Sequence, residues 1–88
     1  MKVTVKLFAT LVQSVPGIVL TRYPQGIRAG SPVEVELPEG STLSDLVAHL
    51  ALSGEEVKVT FVNGRAQELD YPLSPGDQVC IFPAVGGG

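Results

Sequence analysis

One amphipathic helix, set among short runs that alternate apolar and polar, is the feature that most restricts this 88-residue chain. Leu43, Leu46, Val47 and Leu50 recur at i, i+3, i+4 and i+7, the stripe of a helix that buries one face. Thr42 followed by Asp45 is a variant of the capping box and marks its start. Its end is expected near Leu52, with Ser53-Gly54 as the stop signal. A single helix cannot enclose a core with itself, so its stripe requires an apolar sheet face.

The alternating runs supply that face. Val3, Val5 and Leu7 share one side of a first strand, with Lys2, Thr4, Lys6 and, breaking the polar pattern, Phe8 on the other. Val33, Val35 and Leu37 point inward from a second strand that leaves Glu34 and Glu36 in solvent. A third strand over 58–62 has Val57, Val59 and Phe61 on one side. Asn63-Gly64 is a two-residue turn signal that folds a short partner strand, 65–69, back on it. Residues 70–77 carry turn chemistry anchored by Leu73. The last strand, 78–82, sets Val79 and Ile81 against Gln78, Cys80 and Phe82.

Residues 9–15 suit a short helical turn. Residues 16–32 hold three prolines and three glycines around Ile18-Val19-Leu20 and Tyr23, and read as a loop or a small hairpin over one end of the sheet. The expected division is a domain over 1–82, with a loop insertion at about 13–32, followed by a tail over 83–88. If the last strand lies parallel to the first, Phe8 and Phe82 meet on the face away from the helix. They then form a docking patch, unless the 16–32 insertion covers both rings.

Composition removes several functions. Six Lys and Arg stand against nine Asp and Glu, a net charge of −3, which is wrong for a phosphate backbone. The longest apolar runs are four or five residues, too short for a membrane span. Lys6 interrupts any secretory core at the N-terminus, so the cytoplasm is the default compartment. Cys80, the only cysteine, excludes an internal disulfide and a thiolate metal cage, and its apolar run suggests a buried structural thiol. Chemistry-bearing motifs are missing: there is no P-loop, no Gly-x-Gly-x-x-Gly and no nucleophile elbow. His49 falls off the helical stripe and reads as a solvent-facing or rim residue. Glu34 with Glu36, and Glu55 with Glu56, read as solvated carboxylates. No metal site and no cofactor are expected.

The remaining singular feature is Phe82-Pro83-Ala84-Val85-Gly86-Gly87-Gly88. Glycines lack a side chain to pack and let another backbone close over both sides, so a Gly-Gly end can thread a narrow channel. Pro83 is expected to stop strand pairing and turn the chain outward. From Ala84 to Gly88 the segment can span roughly 17 Å at about 3.3–3.6 Å per residue. The Gly88 carboxylate is unreactive until activated, typically by adenylation, so any chemistry must come from a partner's ATP site. The chain itself is then a substrate or carrier.

Asp70-Tyr71-Pro72-Leu73-Ser74-Pro75-Gly76-Asp77, followed by the 78–82 strand, Phe82-Pro83-Ala84-Val85 and the glycines, closely resembles the carboxyl-terminal signature of the molybdopterin synthase small subunit and thiamine sulfur carrier family. Val62-Asn63-Gly64, Leu7-Phe8-Ala9-Thr10-Leu11 and Leu37-Pro38-Glu39-Gly40-Ser41-Thr42-Leu43 are similar to that family's turn, first strand and helix entry. The likeness covers the chain apart from 13–32.

The resemblance implies a ubiquitin-like β-grasp fold, α+β, with a mixed sheet of four to five strands crossed by one main helix. It also implies a sulfur carrier that acts as the small subunit of a synthase complex and has no catalytic residues of its own. An adenylating enzyme would activate Gly88, a sulfur donor would convert it to a thiocarboxylate, and a large synthase subunit would receive the tail. Gly87 would thread the channel, and Phe8, Phe82, Pro83, Val85 and Gly86 would join it in contacting partners. Gly86 departs from the commoner Ala or Thr there, which implies a looser tail. Three other readings stay open: the thiamine carrier, a ubiquitin-like modifier, and an interaction module that is never activated.

Overall fold

The computed structural model describes residues 1–84. Its elements are β1 (Lys2–Leu7), α1 (Leu11–Ser14), α2 (Gly17–Leu20), β2 (Val33–Glu36), α3 (Leu43–His49), β3 (Val57–Val62), β4 (Arg65–Gln67) and β5 (Gln78–Pro83). They build a five-stranded sheet in the order β2-β1-β5-β3-β4. β1 and β5 are parallel at its centre, and the other pairs are antiparallel. This is the mixed sheet around one principal helix that a β-grasp requires.

Side-chain parity places the core. Register sets Val5 beside Val79 and Leu7 beside Ile81 across the parallel pair, and Val3 beside Val35 across β1–β2. All six are buried, as are Leu43, Leu46, Val47 and Leu50 of the helical stripe. Burying side chains of this size contributes roughly 1.5–3 kcal/mol each. Among the described residues no buried side-chain nitrogen or oxygen lacks a hydrogen-bond partner.

α3 begins as its sequence dictates. Thr42 Oγ1 accepts from the Asp45 N–H at 3.2 Å, and the Asp45 carboxylate accepts from the Thr42 N–H at 2.9 Å. The next orphan donors go outside the helix: Leu43 N–H to Tyr71 O at 3.0 Å and Ser44 N–H to Leu69 O at 2.8 Å. That use of residues 69–71 explains why β4 stops at Gln67 and not at 69. The helix also ends earlier than Leu52. The Leu52 N–H reaches Val47 O at 3.0 Å and the Ala51 N–H reaches Ala48 O at 2.9 Å, the paired bonds of a Schellman cap. Ala51 therefore sits at φ +58°, a position that glycine usually fills. Ala51→Gly is expected to raise stability by about 1 kcal/mol, read from denaturant melts.

Residues 16–32 form a loop that opens with one short helix, and not a hairpin. Pro16 caps α2, accepting from the Val19 and Leu20 N–H groups, and turns follow. Val15, Val19 and Ile27 enter the core, while Ile18 is 74% exposed. A three-residue apolar run is too short for its period to separate helix from strand.

Asn63-Gly64 makes the expected turn, with φ +52° and +87°, and the Asn63 side chain extends its role. It donates to Asp77 Oδ1 at 2.9 Å and accepts from the Gln78 N–H at 3.0 Å. Asp77, buried, also accepts from the Ser74 N–H at 2.8 Å. Two turns are thereby tied at one end of the sheet. Asp77→Ala is expected to cost about 2 kcal/mol, because it removes the charged acceptor of two part-buried hydrogen bonds; urea unfolding measures it.

Pro83 does not end the pairing. It lies in β5 opposite Val57, past a register irregularity between Val57 and Val59, and the Ala84 N–H still donates to Glu56 O at 2.8 Å. The irregularity is what admits a residue without an N–H to a ladder.

Candidate functional site

The sheet face away from α3 carries the three phenylalanines. Because Leu7 lies beside Ile81, the next residues along the parallel strands, Phe8 and Phe82, also fall side by side. The Phe8 N–H continues the ladder to Ile81 O at 3.1 Å. Their rings stack at 4.5 Å between centroids with 8° between planes. Phe61 meets Phe82 edge-on at 5.7 Å and 82°. Such pairs contribute about 0.5–1.5 kcal/mol beyond the area they bury. All three rings stay half-buried, so the patch remains available to a partner.

The insertion reaches this patch only at its border. The Gly30 N–H donates to Leu7 O at 2.8 Å, and a Cβ on Gly30 would lie 3.9 Å from a Phe8 ring carbon. Its φ of +75° further favours glycine at this approach. Phe8 is approached and not covered.

Phe61 is the member that sequence reasoning left out. Its parity with Val57 and Val59 was visible, but only the antiparallel pairing of β3 with β5 puts it next to Phe82. Cys80 is corrected too: it lies on this outer face between Lys6 and Phe61 in register and is half-buried, not a core thiol. The even positions of β5 point to a face that no second layer covers.

The C-terminal segment departs beside this patch. Pro83 is half-buried and Ala84 exposed. A groove of about 510 Å³ lies next to them, lined by Thr10, Ser14, Ser53, Glu56, Pro83 and Ala84 among others. The Glu56 carboxylate accepts the Ser14 hydroxyl and the Ser53 N–H, the latter at 3.0 Å. These two bonds, the Ser14 hydroxyl foremost, hold its carboxyl below the usual carboxylate range. Val85, Gly86, Gly87 and Gly88 lie outside the described residues.

Other titratable groups serve the fold. His49 sits at the rim, its Nε2 3.5 Å from the Tyr23 hydroxyl. Burial pushes the Tyr23 phenol up, with Arg22 partly opposing the shift. Glu34 and Glu36 are exposed, as expected. Among the described residues no three His, Cys, Asp or Glu side chains gather as metal ligands, and no helix is long and apolar enough to cross a membrane.

This arrangement places an apolar patch beside Pro83 and Ala84. Against families of known proteins, residues 22–88 match the model of the ThiS family. The chain belongs to the ThiS family. The match begins after β1 and both short helices.

Solved structures agree with the assignment. A Pyrococcus furiosus protein provisionally assigned as molybdopterin converting factor, subunit 1, is 31% identical over 97% of this chain and 99% of its own, with a TM-score of 0.65. SAMP1 from Haloferax volcanii is 23% identical over the full length of both chains, with a TM-score of 0.61. The shared fold is the ubiquitin-like β-grasp. A 48-residue stretch is also 44% identical to part of the threonine–tRNA ligase of Protochlamydia amoebophila. That stretch is 53% of this chain and 7% of the ligase, so the chain spans only a small fraction of that relative's length.

Proposed function

We propose that this ThiS-family chain carries sulfur on Gly88 for the assembly of a molybdopterin cofactor. The observation that carries the reading is the stacked Phe8–Phe82 pair at the root of the segment that leads to the glycines. The 31% identity to the Pyrococcus furiosus protein favours the pterin pathway over the other uses of this fold.

The chemistry divides between proteins. An adenylating partner docks on the aromatic face and receives residues 83–88, with Pro83, Val85, Gly86 and Gly87 lining the approach. One oxygen of the Gly88 carboxylate attacks the α-phosphorus of ATP and pyrophosphate leaves. A sulfide nucleophile from the sulfur donor then adds at the acyl carbon and AMP leaves, so the chain ends in a thiocarboxylate. The large subunit of the synthase takes the same tail and transfers the sulfur to a pterin precursor. Residues 1–82 act as the handle that both partners hold in turn, and the site of these exchanges is the cytoplasm.

The test is intact-mass spectrometry after incubation with the host's adenylating enzyme, ATP and a sulfur donor. A gain equal to replacing one oxygen by sulfur is expected. The product is then offered to molybdopterin synthase and to thiazole synthase. Sulfur transfer only to the latter moves the role to thiamine, and no mass gain with an adenylating enzyme active on another carrier rejects carriage.

A further inference from the structure

Two residues past the aromatic patch, a backbone contact anchors Ala84. The Ala84 N–H donates to Glu56 O at 2.8 Å, a backbone bond that any residue at 56 can accept. What holds that carbonyl in place depends on the glutamate itself. Its Oε1 takes the Ser53 N–H at 3.0 Å, while its own N–H donates to Ser53 O at 3.0 Å, which closes the 53–56 turn from both sides. The Glu55 N–H adds a bond to the Ser53 hydroxyl at 3.1 Å. The same carboxylate takes the hydroxyl of Ser14, the last residue of α1. Three segments distant in sequence, 11–14, 53–56 and 83–84, therefore meet around one groove.

We infer that Glu56 is a positioning residue for Ala84, where the chain enters its C-terminal segment: by closing the 53–56 turn it fixes the carbonyl that holds Ala84. For catalysis the inference rests on the carrier reading above. A docked chain with a misdirected tail binds its adenylating partner normally and presents its carboxylate poorly, because reacting groups tolerate little misplacement.

Hydrogen exchange followed by NMR on the full chain tests this without any partner. In Glu56→Ala the Ala84 amide is expected to exchange about two- to tenfold faster, the range for losing one ordinary hydrogen bond. Ser14→Ala is expected to show a smaller change in the same direction. Glu56→Gln keeps an oxygen at the acceptor position and is expected to restore the original rate. The Thr4 and Phe8 amides, bonded to Asp77 O and Ile81 O on β5, should not change. In the adenylation assay Glu56→Ala should lower kcat severalfold and leave KM within about twofold. An unchanged Ala84 rate, or acceleration of all three amides together, overturns the inference. Absence of any adenylate on the unaltered chain would reject the carrier reading and leave the exchange result standing.

Discussion

Removal of Gly88 is expected to abolish thiocarboxylate formation while leaving the fold intact. The deletion shortens the reach of the tail by about 3.5 Å. A carboxylate displaced by even 1 Å from a phosphorus held in a partner's site can lose about 100-fold in rate, so little product is expected in a normal assay. The sheet ends at Pro83, and stability should stay within about 0.5 kcal/mol of the parent. Intact mass and a thermal melt of the same sample separate the two effects. A shortened chain that still gains sulfur at a comparable rate would remove Gly88 from the reaction. Adducts joining the parent chain to lysines of other proteins would favour the modifier, and full activity of the deletion would favour the interaction module.

Phe82→Ala is expected to weaken both partner complexes by about 2 kcal/mol or more, roughly 30-fold in Kd. Phe82 touches both other rings, so its removal opens the centre of the patch and not its edge. Truncated central aromatics are the costliest changes at protein interfaces. The ring is only half-buried in the free chain, and unfolding free energy should fall by less than the binding does. Phe82→Leu keeps apolar area without the stack and should lie between the two. Calorimetric titration against the adenylating enzyme, paired with urea melts, measures both quantities. Equal losses in folding and binding would make the ring structural, and unchanged binding would place the docking surface elsewhere.

The pattern of residues made some of this legible. Thr42 and Asp45 announced the start of α3, and both supply the reciprocal bonds found there. Val3, Val5 and Leu7 showed which face of β1 is buried. The meeting of Phe8 with Phe82 followed from the same parity once β1 and β5 were set parallel. Long-range pairing was harder to read. Nothing near Phe61 in sequence says that β3 lies beside β5, and nothing near Glu56 says that Ser14 will be its partner. Local turn chemistry also misled where tertiary contacts took over. Ser53-Gly54 is a good stop signal, yet the helix closes on Ala51, whose αL strain costs less than burying Leu50 and Leu52 contributes. Pro83 is a good breaker, yet a register shift in β3 accommodates it.

The placement of β5 between β1 and β3 bears on what happens when a partner draws the tail taut. Force applied beyond Ala84 acts along the axis of a strand that has neighbours on both flanks, registered from Gln78 to Ile81 on one side and from Val79 to Pro83 on the other. Both ladders then carry the load at once, in shear, instead of opening one bond at a time as a peeled edge strand does. A carrier of the kind proposed, gripped by its end and released many times, would not be unravelled by the pull.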